Sequence, residues 1–114
     1  MNRRVVITGV GAICALGHGA RAIWTGMREG KSAIAPLTGF ETQDMRVKVA
    51  AQVRDYDPAQ HFDSKKLILL DRVSQFALIA AREAVKQSGI DFAQGDLRQR
   101  SACEIGTGTG GEVT

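Results

Sequence analysis

The chain has 114 residues, 44% hydrophobic and 24% charged, with a net charge of +3, which suits one ordinary soluble-type globular domain and argues against a disordered chain. Thirteen glycines against 5% aromatics call for a core of aliphatic side chains and close backbone contacts, as in layered α/β packing. The basic residues are dispersed, with no long run and no aromatic interleaving, so nucleic-acid binding is not indicated; no apolar run approaches the roughly 20 residues that span a bilayer.

The small positive charge is compatible with docking an acidic protein but names no partner. Cys14 and Cys103 have no spacing for zinc and are too few for a disulfide framework, so the expected setting is reducing and cytoplasmic, with no metal. Arg3-Arg4 followed by an apolar run has the outline of a short secretory signal. The run is β-branched and broken by Thr8, Gly9 and Gly11, unlike the helix-forming core of such a signal.

In chain order, Val5-Val6-Ile7 has the continuous β-branched character of a strand covered on both faces. Gly9 and Gly11 permit a tight turn after it. Ala20, Ile23, Trp24 and Met27 then share one helical stripe, with Gly30 as the stop. Residues 32–44 read as an irregular segment pinned by Leu37 and Phe40, after which Val47 to Val53 alternates with the period of a strand. Ser64 to Ser88 is helical in pattern and ends at Gly89. Unbroken it would run about 37 Å at 1.5 Å per residue, so a break is expected near Leu70-Asp71, with Asp71 capping a second, longer helix. The alanines of that helix, among them Ala77, Ala80, Ala81 and Ala84, predict close packing. Ser101 to Ile105 reads as a third strand leading into a second glycine turn, Gly106 to Gly111. A strand and turn without a following helix leave a β-α unit half built, so the chain is read as truncated.

The first glycine turn lacks the third glycine of a dinucleotide fingerprint, because Cys14 stands there. The second turn fits the pattern at Gly106, Gly108 and Gly111, without a helix to receive a pyrophosphate. Cys14 near a helix start could be weighed as a nucleophile, but Cys14 and Cys103 are read as packing residues. His18 and His61 are read as turn or surface residues, with no partner spacing for a metal or a catalytic dyad.

Several motifs occur in a telling order: Arg4-Val5-Val6-Ile7-Thr8-Gly9-Val10-Gly11, then Gly30-Lys31-Ser32-Ala33-Ile34, Phe40-Glu41-Thr42, Asp71-Arg72 with Gln75-Phe76-Ala77 and Ser88-Gly89, and Ile105-Gly106-Thr107-Gly108-Thr109-Gly110-Gly111. Together they resemble the β-ketoacyl-acyl carrier protein synthases, the condensing enzymes of fatty acid and polyketide synthesis. The resemblance implies a thiolase-like layered α-β-α-β-α fold, of which residues 1–114 are the first, incomplete part of the N-terminal half. It implies a decarboxylating Claisen condensation of an acyl thioester with malonyl-acyl carrier protein, needing no cofactor. Acyl carrier protein is the implied partner and a homodimer the implied assembly.

In that chemistry a cysteine takes the acyl group, while two histidines assist decarboxylation and stabilise the oxyanion. None of their motifs falls in this chain, so Cys14, Cys103, His18 and His61 inherit no catalytic role, and the chain alone is expected to be inactive and poorly folded. The second glycine turn corresponds to the border of the family's acyl pocket, which makes Gly108, Thr109 and Gly110 the candidate site residues. Thr109 stands where the family usually places an apolar residue facing the acyl chain. Two alternatives remain: a non-catalytic chain-length factor of the same fold, and a nucleotide-binding oxidoreductase domain.

Overall fold

Two aspartates set the helical punctuation of the chain's second half. The computed structural model describes residues 3–108 and residue 110. Helix α2 (Ser64–Leu69) starts where the Asp63 carboxylate accepts the Lys66 N–H at 2.9 Å, and helix α3 (Arg72–Ser88) starts where Asp71 accepts the Ser74 N–H at 2.7 Å. Leu70 is extended between them, and its carbonyl accepts from Gln75 Nε2 at 2.8 Å. The break expected at Leu70-Asp71 is present, because an aspartate at an N-cap satisfies amides that a continuous helix would not leave free. Gly89, left-handed at φ 67°, closes α3.

Preceding these, helix α1 (Ala20–Arg28) ends in a Schellman motif, in which Lys31 N donates to Gly26 O and Gly30 N to Met27 O, with Gly30 at φ 66°. Its start has no capping side chain of its own, since Gly19 is the N-cap residue. Glu83 of α3 supplies the acceptor instead, taking the Ala20 N–H at 3.0 Å on one oxygen and the Ala12 N–H at 3.0 Å on the other. One carboxylate thus ties the first turn of α1 to the chain that leads into it.

That lead-in forms a small antiparallel hairpin, β1 (Ile13–Cys14) with β2 (Gly17–His18), in the register Ile13 to His18 and Cys14 to Gly17. A second antiparallel pair joins β3 (Ala35–Pro36) to β4 (Val49–Ala50), braced by Gln52, whose side chain exchanges hydrogen bonds with the Thr38 backbone. A 3₁₀ turn (Pro58–Gln60) and a short helix α4 (Leu97–Arg100), neither of them foreseen from the sequence, complete the elements.

The expected strands are only partly realised. Val5 and Ile7 are 93% and 85% exposed and join no ladder, and Ile105 in the expected third strand is 71% exposed. Of Val47 to Val53 only Val49–Ala50 pairs. Strand sequence becomes strand structure only when neighbours accept its hydrogen bonds and cover its faces, and the described residues supply no ladder partner to Val5–Ile7 or to Ser101–Ile105. The α1 stripe also differs: Trp24 and Met27 lie exposed. Phe40, expected to pin its loop, is exposed as well, while Leu37 is half-buried.

The tightest packing lies between α3 and segment 9–12. A Cβ on Gly9 would overlap the Ala84 carbonyl, and one on Gly11 the Ala80 carbonyl. Small residues on both sides let backbone touch backbone: the alanines pack closely, against segment 9–12, where a helix or sheet was the expected neighbour. Val10 N donates to Gln87 Oε1 at 2.6 Å in the same contact. Elsewhere the molecule is open. Its accessible surface is 9877 Å², against about 6,100 Å² for a compact chain of this mass. The radius of gyration is 17.4 Å, against about 13 Å. Phe62, 6% exposed and overlain by the Arg82 guanidinium 4.8 Å from its ring, is the buried apolar anchor. The chain is mixed α and β, with segment 9–12 and the first turn of α1 tied to α3 by Gln87 and Glu83.

Candidate functional site

The second glycine turn lies along the N-terminal half of α3, on a stripe adjacent to the one that holds Gly9 and Gly11. Val73, Ala77, Leu78 and Ala81 form one wall of an apolar groove of about 450 Å³, and Cys103, Ile105, Thr107 and Gly110 form the other. The spacing of 73, 77 and 81 puts these side chains on one helical face.

Gly110 makes the contact with the helix. Its N–H donates to Thr107 Oγ1 at 3.1 Å, which closes the turn on itself. A Cβ at Gly110 would meet both Val73 methyl carbons at 3.0 Å and Thr107 Oγ1 at 2.9 Å. Gly106 and Gly108 have nothing within 4 Å of the Cβ position. Among its described glycines the turn therefore rests on α3 at Gly110 and is open at Gly106 and Gly108. Thr109 and Gly111 lie outside the described residues.

Chemically the groove suits a hydrocarbon better than a reacting centre. Its one carboxylate, Asp71, is engaged as the α3 cap, and the hydrogen bonds from Ser74 hold its pKa below the usual value of 3.8. Cys103 is an exposed thiol with no base placed on it by any hydrogen bond. Such a surface can bind and shape an alkyl chain but lacks the nucleophile-base pair that bond-making needs.

The first glycine turn is closed to phosphate. The amides of Val10 and Ala12 already donate to the Gln87 and Glu83 side chains, and the Glu83 carboxylate occupies the place where an anion would have to sit. Cys14 is half-buried in the hairpin, where its sulfur accepts from Leu16 N at 3.4 Å.

The two histidines do have a common neighbour, which their sequence separation concealed. Tyr56 stacks on His61 at 5.8 Å and meets His18 edge-on at 6.1 Å, with Phe76 5.0 Å away and the Arg72 guanidinium 5.4 Å from its ring centre. The phenol donates to Gln75 Oε1 at 2.7 Å. Its pKa is raised above 10.0, chiefly by burial, against a lowering by Arg72 and with a smaller raising by Asp57. No spacing rule links residues 18, 56 and 61, and only the folded chain brings them together. This cluster joins the α3 start to the β2 hairpin, and it contains no acid-base pair aimed at a cavity. Among the described residues no three His, Cys, Asp or Glu side chains gather as a metal site, and no helix is long and apolar enough to cross a membrane.

Comparison with known proteins agrees with these features. Residues 2–114 match the family model described as "Beta-ketoacyl synthase, N-terminal domain". The chain is 43% identical over 111 residues to nodulation protein E of Rhizobium meliloti, covering 97% of this chain and 27% of that protein. It is 38% identical over 110 residues to 3-oxoacyl-[acyl-carrier-protein] synthase 2 of Coxiella burnetii, covering 96% and 26%. Among solved structures it is similar to the ishigamide ketosynthase/chain length factor, with a TM-score of 0.68 and 33% identity over 82% of this chain and 23% of that one. The chain thus spans about a quarter of the length of these relatives. With its ordered motifs, its helix break at Asp71 and its glycine turn seated on α3, it belongs to the β-ketoacyl synthase family, whose N-terminal domain its sequence matches.

Proposed function

We propose that residues 1–114 are the first part of the N-terminal half of a β-ketoacyl-acyl carrier protein synthase with the layered thiolase-like fold. The protein to which they belong would condense an acyl thioester with malonyl-acyl carrier protein. The acyl group moves from carrier thiol to enzyme cysteine. Loss of carbon dioxide from the malonyl unit then gives the carbanion that forms the new carbon–carbon bond and releases the cysteine thiolate. The cysteine and the two histidines lie outside this segment; acyl carrier protein is the delivering partner and a homodimer the working assembly. What residues 1–114 contribute is scaffold and one border of the acyl pocket, at Gly108, Thr109 and Gly110.

The observation that supports this reading is the apolar groove beside Gly110, in a chain whose residues 2–114 match the N-terminal domain of the β-ketoacyl synthases. Malonyl-dependent formation of a 3-oxoacyl product by the full-length protein tests it, followed by mass spectrometry of the carrier-bound product. Product formation supports the assignment, and its absence with an acylatable carrier protein present removes it. Thr109→Ile in that protein tests the turn: an unchanged profile over acyl donors of graded length would separate Thr109 from chain-length choice.

Similarity to the ishigamide ketosynthase/chain length factor supports a second reading, a non-catalytic partner of the same fold. Such a chain would fail to take up an acyl group by itself, whereas a ketosynthase would become acylated on cysteine.

A further inference from the structure

We propose that Val73 is a positioning residue for acyl-chain length: its two methyl groups, together with the Thr107 hydroxyl, fix how far the second glycine turn stands from α3. This inference rests on the reading that the turn borders the acyl pocket, and it assigns the setting of that border to a helix residue outside the glycine motif.

The geometry is specific. Gly110 has room for a hydrogen and no more, because Val73 Cγ1 and Cγ2 both lie 3.0 Å from the Cβ position. A contact with both branches of a β-branched side chain locates the turn in two directions, since valine has little rotamer freedom in a helix. Val73 is in the first turn of α3, whose start is fixed by the Asp71 cap. The Thr107 hydroxyl accepts from Gly110 N at 3.1 Å, so the turn keeps its own shape while resting on Val73. Val73 itself is only partly covered and continues into the groove wall beside Ala77 and Leu78. Shortening it therefore takes methyl groups out of the groove wall and opens the groove at that point. Lengthening it does the opposite.

The test uses full-length protein with acyl-carrier donors of graded chain length, scoring kcat/KM for each. Val73→Ala is expected to raise the ratio of long-donor to short-donor kcat/KM by roughly three- to tenfold, and Val73→Leu to lower it, a scale set by what one or two methyl groups contribute in an apolar pocket. Val73→Thr keeps the branched shape that meets Gly110 and is expected to shift the ratio less than Val73→Ala does. A loss that is merely structural would lower kcat/KM for all donors alike and would follow the melting temperature. Thr109→Ile, measured alongside, separates the two levels of the argument. If Thr109→Ile shifts the length profile and Val73→Ala and Val73→Leu do not, the role of Val73 is overturned while the acyl-border reading stands. If neither position shifts it, the border reading falls and takes this inference with it.

Discussion

Replacing Gly11 with alanine puts one methyl group where the chain has least room for it. Besides overlapping the Ala80 carbonyl oxygen, the new Cβ would lie 2.8 Å from the Ala80 carbonyl carbon and 2.9 Å from the Ala84 nitrogen. All three are backbone atoms, so no side chain can swing aside. To restore an ordinary contact of about 3.5 Å, α3 and segment 9–12 must part by roughly an ångström. The hydrogen bonds from Val10 to Gln87 and from Ala12 to Glu83, at 2.6 and 3.0 Å, cross the same gap, and at least one would be stretched beyond useful range. Overpacking costs about 1–3 kcal/mol and loss of a hydrogen bond to a charged acceptor about 1.5–3 kcal/mol; the two overlap, giving a total of roughly 3–5 kcal/mol. That is a large share of the 5–15 kcal/mol of a typical domain. Gly30→Ala is the control, because Gly30 has φ 66° and nothing within 4 Å, leaving only a left-handed backbone cost of about 1–2 kcal/mol. Urea unfolding of the full-length protein compares the two. A midpoint shift for Gly11→Ala no larger than that for Gly30→Ala would refute the reasoning.

Glu83→Ala removes the acceptor shared by Ala12 and Ala20 and is expected to speed hydrogen exchange at both amides, whereas Glu83→Gln, with one oxygen left, should protect one of them; equal exchange in the two variants would contradict the bridging role. Tyr56→Phe strips the phenol from Gln75, a 9% exposed side chain, and should cost about 1–3 kcal/mol by leaving a buried acceptor unpaired. Because the folded Tyr56 pKa lies above its ordinary 10.0, its contribution is intact below that pH and is lost as the pH rises through the higher folded value. Alkaline melts of Tyr56→Phe should therefore fall less steeply than those of the parent protein. Asp71→Ala uncaps α3 and should lower the melting temperature near neutral pH. The folded Asp71 pKa lies below 3.8, so the cap contributes above that pH and fades as the pH falls through the lower folded value. A difference between parent and variant that persists undiminished at about pH 2 would argue against the charged cap.

Helix boundaries were the most legible part of the sequence, because each is written in local chemistry. Asp71, Gly30 and Gly89 sit where caps and left-handed stops belong, and they act there. The family was legible from the order of its motifs. The strands were not, since Val5 to Ile7 and Ser101 to Ile105 have strand composition and no ladder among the described residues, and pairing is a property of neighbours that composition does not contain. Long-range polar ties were equally hidden: nothing local in Glu83 announces that it caps a helix 63 residues earlier, or in Tyr56 that it gathers His18 and His61. At the candidate site the glycine turn could be named, but the valine beneath it could not. Val73 reads as one more apolar position of an amphipathic helix until Gly110 is seen lying on it.

Both glycine segments therefore depend on one helix. Gly9 and Gly11 meet α3 at Ala84 and Ala80, and Gly110 meets it at Val73. An α-helix rises about 1.5 Å per residue and is stiff over such a length, so Val73 and Ala84, about 16 Å apart along α3, cannot be repositioned independently. A methyl group that pushes segment 9–12 away from α3 must tilt the helix or displace the segment, and the two responses differ at the far end. Tilting moves Val73 and with it the acyl border; displacement of the segment leaves Val73 in place. The profile of Gly11→Ala over acyl donors of graded length distinguishes them in the full-length protein. Because segment 9–12 is also held to the start of α1, where the Gly19 N–H donates to the Ala12 carbonyl at 2.8 Å, the expected response is tilt, seen as a changed long-to-short donor ratio beyond any general loss of activity. An unchanged ratio would show that the two turns are positioned separately.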